Sequence, residues 1–231
     1  MAQPGDVLSF LDMCQEEGGN LQRGMNYHLR GGLSVILMSL RPGAPYNDQI
    51  ADKGNVLIYE GHDAVRVQGG SDPKTIDQPM RTAGGTLTQN GQFFYAAVDF
   101  NHGRSEAELV KVYEKIKDGI WVYNGLFRLV DAWKEKYQGR YVFKFRLELN
   151  EANGAANKPT SREIEHVRII PTAIKIEVWR RDEGRCVVCG SQDNLHFDHI
   201  IPYSKGGSSL IASNIQLLCA RHNLAKSDNI E

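Results

Sequence analysis

Apolar and polar residues alternate most regularly over residues 140–149, where Tyr141, Phe143, Phe145, Leu147 and Leu149 interleave with Val142, Lys144, Arg146 and Glu148. Successive side chains of a strand point to opposite faces, so this period of two predicts a strand with one buried face. Residues 122–133 are its expected antiparallel neighbour, turned round through residues 136–139. Residues 32–38 form a short apolar run entered through a glycine pair, and residues 55–59 form another. Ser105 with Glu108 three residues later has the form of a capping box. Leu109, Val112, Tyr113 and Ile116 then follow at helical spacing up to Gly119, and the pattern predicts a helix. Residues 87–100 fit a helix or a strand equally. Strands mixed with one or two helices imply a curved, barrel-like α+β domain.

The pattern changes character near residue 150. Residues 150–161 are small, polar and aperiodic, as in a linker. A helix is expected over 172–181, followed by a cysteine-containing region. The chain therefore divides into a first domain at 1–150, a linker at 151–165 and a second domain at 166–231.

With 231 residues and 41% hydrophobic content, real cores are affordable, and no apolar run approaches membrane-spanning length. The first residues lack a basic segment followed by an apolar stretch, so the expectation is a soluble, cytoplasmic protein with no membrane partner. A net charge of −1 and a pI near 6.7 give no general attraction to polyanions. Local basic patches remain: Lys111, Lys115 and Lys117 on the expected helix, and Arg180, Arg181 and Arg185 before the first cysteine pair. Either set could equally be a solvated face. Cys14, isolated from the other three cysteines, reads as a small buried apolar residue.

Cys186-x-x-Cys189 and Cys219-x-x-His222 form two close pairs about 30 residues apart. Tetrahedral Zn²⁺ takes sulfur and nitrogen donors in such pairs, and a module of about 60 residues cannot bury much core, so a structural Zn²⁺ is expected there. The bland alternative is reduced, packed cysteines with His222 exposed. Inside this frame a strand carries Asp198 and His199, whose side chains diverge because they are adjacent. Phosphodiester hydrolysis needs a base to activate water and a cation to neutralise charge on phosphorus. His199 suits the first role, and Asp198 offers a hard oxygen to Mg²⁺ or Mn²⁺. Asn223 could complete the divalent-ion site through its amide oxygen, and Asn214 could hold His199 in position. His196 could touch this site or pack, and Lys226 could contact phosphate or be solvated.

The succession Cys-x-x-Cys, Asp-His-Ile-x-Pro-x-Ser-x-Gly-Gly, Asn-x-Gln-x-Leu-Cys and Asn-x-x-Lys resembles the HNH endonuclease module, a ββα-metal fold, over roughly residues 171–229. The resemblance implies that His199 is the general base, that Asp198 and Asn223 bind the catalytic divalent ion, and that Asn214 positions the base. His222 stands where many members have cysteine, and Asn223 where others have histidine. An HNH-shaped zinc module without activity is the alternative.

A module this small has little surface for choosing sites, which leaves selection to the first domain. Tyr123-Asn124-Gly125 with the following strand, Trp133, residues 141–149, Gly54-Asn55 and Tyr59-Glu60-Gly61 resemble the SRA family more loosely, over roughly residues 30–149. That family usually carries Tyr-Asp-Gly where this chain has Tyr-Asn-Gly. SRA domains are PUA-like barrels that bind DNA containing 5-methylcytosine and flip that base into a pocket. A flipped cytosine needs stacking faces and an acceptor for its amino group. Tyr46 and Tyr59 could supply the faces, and Asp48 the acceptor. Alternatively, Tyr46 and Asp48 decorate a loop and Tyr59 packs in the barrel. Residues 22–30 and 67–80 are candidates to fill the gap that a flipped base leaves.

Together these resemblances imply a modification-dependent endonuclease acting on double-stranded DNA with 5-methylcytosine or a relative such as 5-hydroxymethylcytosine. Each HNH site cuts one strand, so a homodimer is expected. The rivals are a non-catalytic reader of modified DNA, and a nuclease whose barrel reads RNA or another base.

Overall fold

Backbone hydrogen bonds join eight strands of the first part of the chain into one sheet; the computed structural model describes residues 2–21, 24–29, 32–150, 169–202 and 205–226. The strands are β1 (Val7–Ser9), β2 (Met25–Asn26), β3 (Ser34–Met38), β4 (Gln49–Ala51), β5 (Val56–Glu60), β6 (Glu108–Lys117), β7 (Ile120–Tyr137) and β8 (Arg140–Leu149). Their order is β2-β3-β6-β7-β8-β5-β4, with β1 also paired to β7. β3 runs parallel to β6, and the other pairs are antiparallel. The alternating segment forms the expected hairpin, with Phe127 opposite Leu149 and Tyr137 opposite Arg140. Gln138 and Gly139 take the turn at φ 48° and 85°.

Residues 87–100 resolve as a helix, α2 (Gln89–Asn101), whose N-cap Thr88 accepts from the Gly91 N–H. Its Phe93 and Ala97 share one buried cluster with Met25, Ile36, Tyr59, Val110, Phe127, Phe145 and Leu147. Side chains from β2, β3 and β5 to β8 thus meet around one helix face, so the sheet wraps its core. A shorter helix, α1 (Phe10–Glu16), follows β1 and begins with a capping box between Ser9 and Asp12.

The helix expected after Ser105 is instead strand β6, and Lys111, Lys115 and Lys117 lie on that strand. Val110, Val112, Glu114 and Ile116 occupy one face, each at most 5% exposed, while Tyr113 is fully buried on the other. A strand buried on both faces carries apolar residues at both strand and helix spacings. The register shift beside Val112 and Tyr113 places the extra residue, Asn124, on β7 and leaves the β6 alternation intact there. Lys111 is not a free cation, since its Nζ lies 2.9 Å from Glu17.

The last part of the chain contains α3 (Thr172–Arg181), a hairpin of β9 (Leu195–His199) and β10 (Ile215–Cys219), and α4 (Ala220–Lys226). The residues assigned to the linker lie outside the described residues. On either side of them the two parts share a core. Ile116 and Val122 of the sheet cluster with Val178, Phe197, Ile215 and Leu217. Within this joint, Lys175 Nζ lies 2.7 Å from Glu114 Oε2 and 2.6 Å from Asn124 Oδ1. The Asn124 amide donates to Glu114 at 3.0 Å, and the Thr172 hydroxyl donates to its other oxygen. Burial pushes the Glu114 carboxyl up, but Lys175 and the other donors hold it below the usual range. The N-terminal segment adds a second joint: the Phe197 N–H donates to Gly5 O at 3.1 Å, and His196 Nδ1 lies 2.8 Å from Asp6. The small domain is packed on the sheet as well as joined to it by the chain.

Candidate base pocket and HNH centre

Tyr46, Asp48 and Tyr59 line one cavity of about 570 Å³, bordered also by Gly24, Met38 and Trp121. That size lies within the range of small-ligand pockets. β5 supplies Tyr59, and the loop between β3 and β4 supplies Tyr46 and Asp48. The Asp48 carboxylate accepts from the Glu60 N–H at 3.0 Å and the Ser39 N–H at 3.2 Å, which fixes the loop against both strands. Burial pushes Asp48 up to about 7, against the pull of those two N–H groups and Lys144. Tyr59 is buried, with its hydroxyl 3.4 Å from His62 Nε2. At Gly24 a Cβ would lie 2.6 Å from that hydroxyl, so glycine permits the approach. Tyr46 is half-buried, with Lys74 Nζ 4.0 Å from its ring centroid. The same ammonium donates to Pro45 O at 2.5 Å. Both segments expected to fill a flipped-base gap, represented by Gly24 and Lys74, therefore abut this pocket or its rim.

In the small domain, the sulfur and nitrogen atoms of Cys186, Cys189, Cys219 and His222 lie within 4.8 Å of one another. Cys189 and Cys219 sulfurs are 3.8 Å apart, and His222 Nδ1 is 3.4 Å from Cys186 and 3.3 Å from Cys219. A tetrahedral Zn²⁺ with bonds of about 2.3 Å to sulfur has edges of roughly 3.8 Å, so this set fits the ion. Burial raises the Cys186 thiol, yet N–H groups of Cys219, Cys189 and Val188 and the His222 ring hold it at about 6. It is therefore thiolate-prone, the form a metal requires.

Asp198 and His199 sit together at the end of β9, opposite Gln216 and Ile215. His199 Nε2 lies 2.8 Å from Ser209 Oγ. Burial pushes its imidazole down, against the pull of Asp198, which keeps the ring neutral near pH 7. Asn214 does not reach the ring. Its side chain accepts from the Ile201 N–H at 2.9 Å and donates to Ile201 O and Ser208 O at 3.2 and 3.1 Å. It braces the loop that presents Ser209, and so acts on His199 at one remove. Gly207 closes that loop, because a Cβ there would lie 1.8 Å from Ile201 O. Asn223 lies half-buried on α4.

Lys226 is neither solvated nor aimed at phosphate. It is 2% exposed, and its Nζ lies 2.7 Å from Asp198 Oδ2 and 2.5 Å from His199 O. Oxygen donors from Asp198 and Asn223 fit a hard divalent cation in kind, and here the Asp198 charge is answered by Lys226. His196 pairs with Asp6. Cys14 is only partly buried, and its sulfur accepts from the Leu21 N–H at 3.5 Å. Arg181 is no phosphate ligand, since it donates to Ala212 O and Ile215 O at 2.7 and 2.6 Å. The sequence reading missed Ser209, Gly24 and the Glu114–Lys175 joint. Only Gly24 carried a signal, because it lies within residues 22–30, a segment already expected beside a flipped base.

The SAD/SRA domain family model matches residues 4–152, more than half of the chain. The chain belongs to the SAD/SRA family. The HNH endonuclease model matches residues 186–229 of this SRA chain, which spans the zinc-fitting set and the Asp198–His199 centre. Two histone-lysine N-methyltransferase family members of Arabidopsis thaliana are similar to it. SUVH9 is 27% identical over 181 residues, covering 75% of this chain and 26% of the relative. SUVH2 is 26% identical over 215 residues, covering 81% and 31%. The chain thus spans about a quarter to a third of the curated relatives it matches. Among solved structures, the SUVH5 SRA domain in complex with methylated CHH DNA shares 22% identity at a TM-score of 0.44, over 68% of this chain and 92% of that one. No helix among the described residues is long and apolar enough to cross a membrane.

Proposed function

We propose that this SRA chain is a modification-dependent DNA endonuclease, with a reader at residues 1–150 and a nuclease at 166–231. The observation that carries the reading is that one chain holds both an aromatic pocket around a buried carboxyl and a His–Asp centre beside a zinc-fitting frame. In this reading the pocket takes 5-methylcytosine, or a relative such as 5-hydroxymethylcytosine, turned out of double-stranded DNA. Tyr46 and Tyr59 offer faces, each worth about 1–3 kcal/mol on full stacking. Asp48 accepts from the exocyclic amino group when ionised, and its position near 7 leaves that form available at neutral pH.

His199 takes a proton from water through its neutral imidazole, while Asn214 and Gly207 hold the loop that carries its partner Ser209. Asp198 and Asn223 hold Mg²⁺ or Mn²⁺, which when bound supplies charge neutralisation at the phosphodiester. Zn²⁺ at Cys186, Cys189, Cys219 and His222 is structural. Each centre cuts one strand, so a double-strand break calls for a homodimer of this cytoplasmic protein.

A second reading, a reader of modified DNA that does not cut, is favoured by the Lys226 ammonium on Asp198. Digestion of matched methylated and unmethylated plasmid separates the two. The expected result is Mg²⁺- or Mn²⁺-dependent cutting of the methylated plasmid alone, abolished by His199→Ala. Equal cutting of both plasmids removes the reader role. Methyl-dependent binding with no cutting in either metal leaves the non-catalytic reader.

A further inference from the structure

The base pocket carries two cations that a flipped base does not require. Arg41, in the loop after β3, and Lys115, near the end of β6, line the cavity that holds Tyr46, Asp48 and Tyr59. Both converge on one atom: Arg41 Nη1 lies 3.2 Å and Lys115 Nζ 2.9 Å from Asp118 Oδ1. Asp118 sits in the turn between β6 and β7, with its side chain 87% exposed, whereas those of Arg41 and Lys115 are 29% and 28% exposed. The cations have other anchors. Arg41 Nε donates to Ser39 Oγ at 3.4 Å, and Lys115 Nζ lies 5.9 Å from the Trp121 ring centroid. Two partly buried cations therefore meet at one oxyanion borne by a solvated turn.

A nucleotide turned out of a duplex remains attached through both its phosphates, so it brings phosphodiester oxygens to the pocket mouth. We propose that Arg41 and Lys115 form a phosphodiester clamp at that mouth, gripping the backbone of the flipped nucleotide. Asp118 is the internal competitor that the phosphate displaces. Exposed carboxylate pairs contribute little to stability, so a phosphate in a bound duplex can replace this one. The clamp rests on the base-capture reading above, and it gives a chain of net charge −1 a local phosphate site on the partly exposed lining of its pocket.

The test is fluorescence anisotropy of the full chain with a labelled duplex carrying one 5-methylcytosine, without added divalent ion, over a range of NaCl concentrations. Arg41→Gln with Lys115→Gln should make the slope of log K against log [NaCl] shallower by about 0.9, the value for the one phosphate on which both cations converge. Asp118→Asn should tighten binding at fixed salt by roughly fivefold, as expected for removal of two exposed pairs. A gain of affinity cannot arise from misfolding, which makes Asp118→Asn the more telling variant. An unchanged slope in the double variant, or weaker binding by Asp118→Asn, overturns the clamp. An unmethylated duplex distinguishes the two levels of the argument. Equal binding of both duplexes by the unaltered chain overturns base capture, whereas a retained methyl preference with an unchanged slope removes the clamp alone.

Discussion

Replacing Lys175 with methionine tests the joint between the sheet and the small domain. The substitution keeps the apolar stem and removes the ammonium that meets Glu114 Oε2 at 2.7 Å. Glu114 has no exposure to solvent, so it keeps hydrogen bonds from Thr172 and Asn124 but loses its counter-charge. Orphaning one member of a buried pair costs about 3–5 kcal/mol. At about 2–4 °C per kcal/mol for a chain of this size, Tm should fall by roughly 6–20 °C near neutral pH. Glu114→Gln combined with Lys175→Met removes both charges and should recover part of that loss, because the penalty lies in the uncompensated carboxylate.

The pH dependence supplies the sign. With Lys175 present the Glu114 carboxyl is held below 4.5, so its contribution is full above that value and lost as pH falls through the lower folded-state value. Without Lys175, burial dominates and raises the group, so acidification from about pH 7 to 5 should narrow the gap between variant and parent. Thermal unfolding followed by differential scanning fluorimetry at both pH values measures this. A Lys175→Met protein that melts with its parent at pH 7, or no more stably once Glu114 is also neutralised, would refute the reasoning.

Two further outcomes follow from the pocket and the metal frame. Asp48, raised from 3.8 to about 7 by burial, stays protonated in the folded chain where the unfolded chain has ionised; its stabilising effect is full below about 3.8 and is lost as pH rises to about 7. The Tm of the parent minus that of Asp48→Asn should therefore shrink from about pH 4 to 7 and flatten above it, and a constant difference would count against this assignment. Colorimetric zinc release should yield about one equivalent per chain and almost none from Cys219→Ser; a metal-free parent, or an unchanged yield from the variant, would exclude the structural zinc.

Residues whose chemistry repeats along the chain were the legible ones. The β7–β8 hairpin follows from period two and the Cys186–His222 frame from paired donors, because each signal is local. β6 was misread because burial on both faces puts apolar residues at helical as well as strand spacing. Lys175 and Lys226 look like solvated charges in one dimension and prove to be among the most buried side chains. Their partners lie 61 and 28 residues away, so no local pattern marks them. Ser209 is hidden for a related reason: a hydroxyl in a polar loop becomes distinctive only once β9 brings His199 beside it.

These distant partners alter how the two candidate sites relate. A nuclease hung on a linker would sweep a wide arc, and its reach would depend on chain length. Here Ile116 and Val122 enter the core of the small domain, while Glu114 and Asn124 hold α3 through Lys175. Breaking this joint would expose both apolar surface and a buried ion pair, which opposes independent motion of the parts. Asp198 and His199 are therefore held in a set relation to β6 and β7. The end of β6 also carries Lys115 at the base pocket. The same strand thus connects the surface proposed to grip the flipped nucleotide with the joint that orients the HNH centre. Lys115 faces the pocket while its neighbours Glu114 and Ile116 face the joint from the other side of the same strand end. In the proposed reading, the offset between captured base and cut phosphodiester is therefore set by packing rather than by linker length.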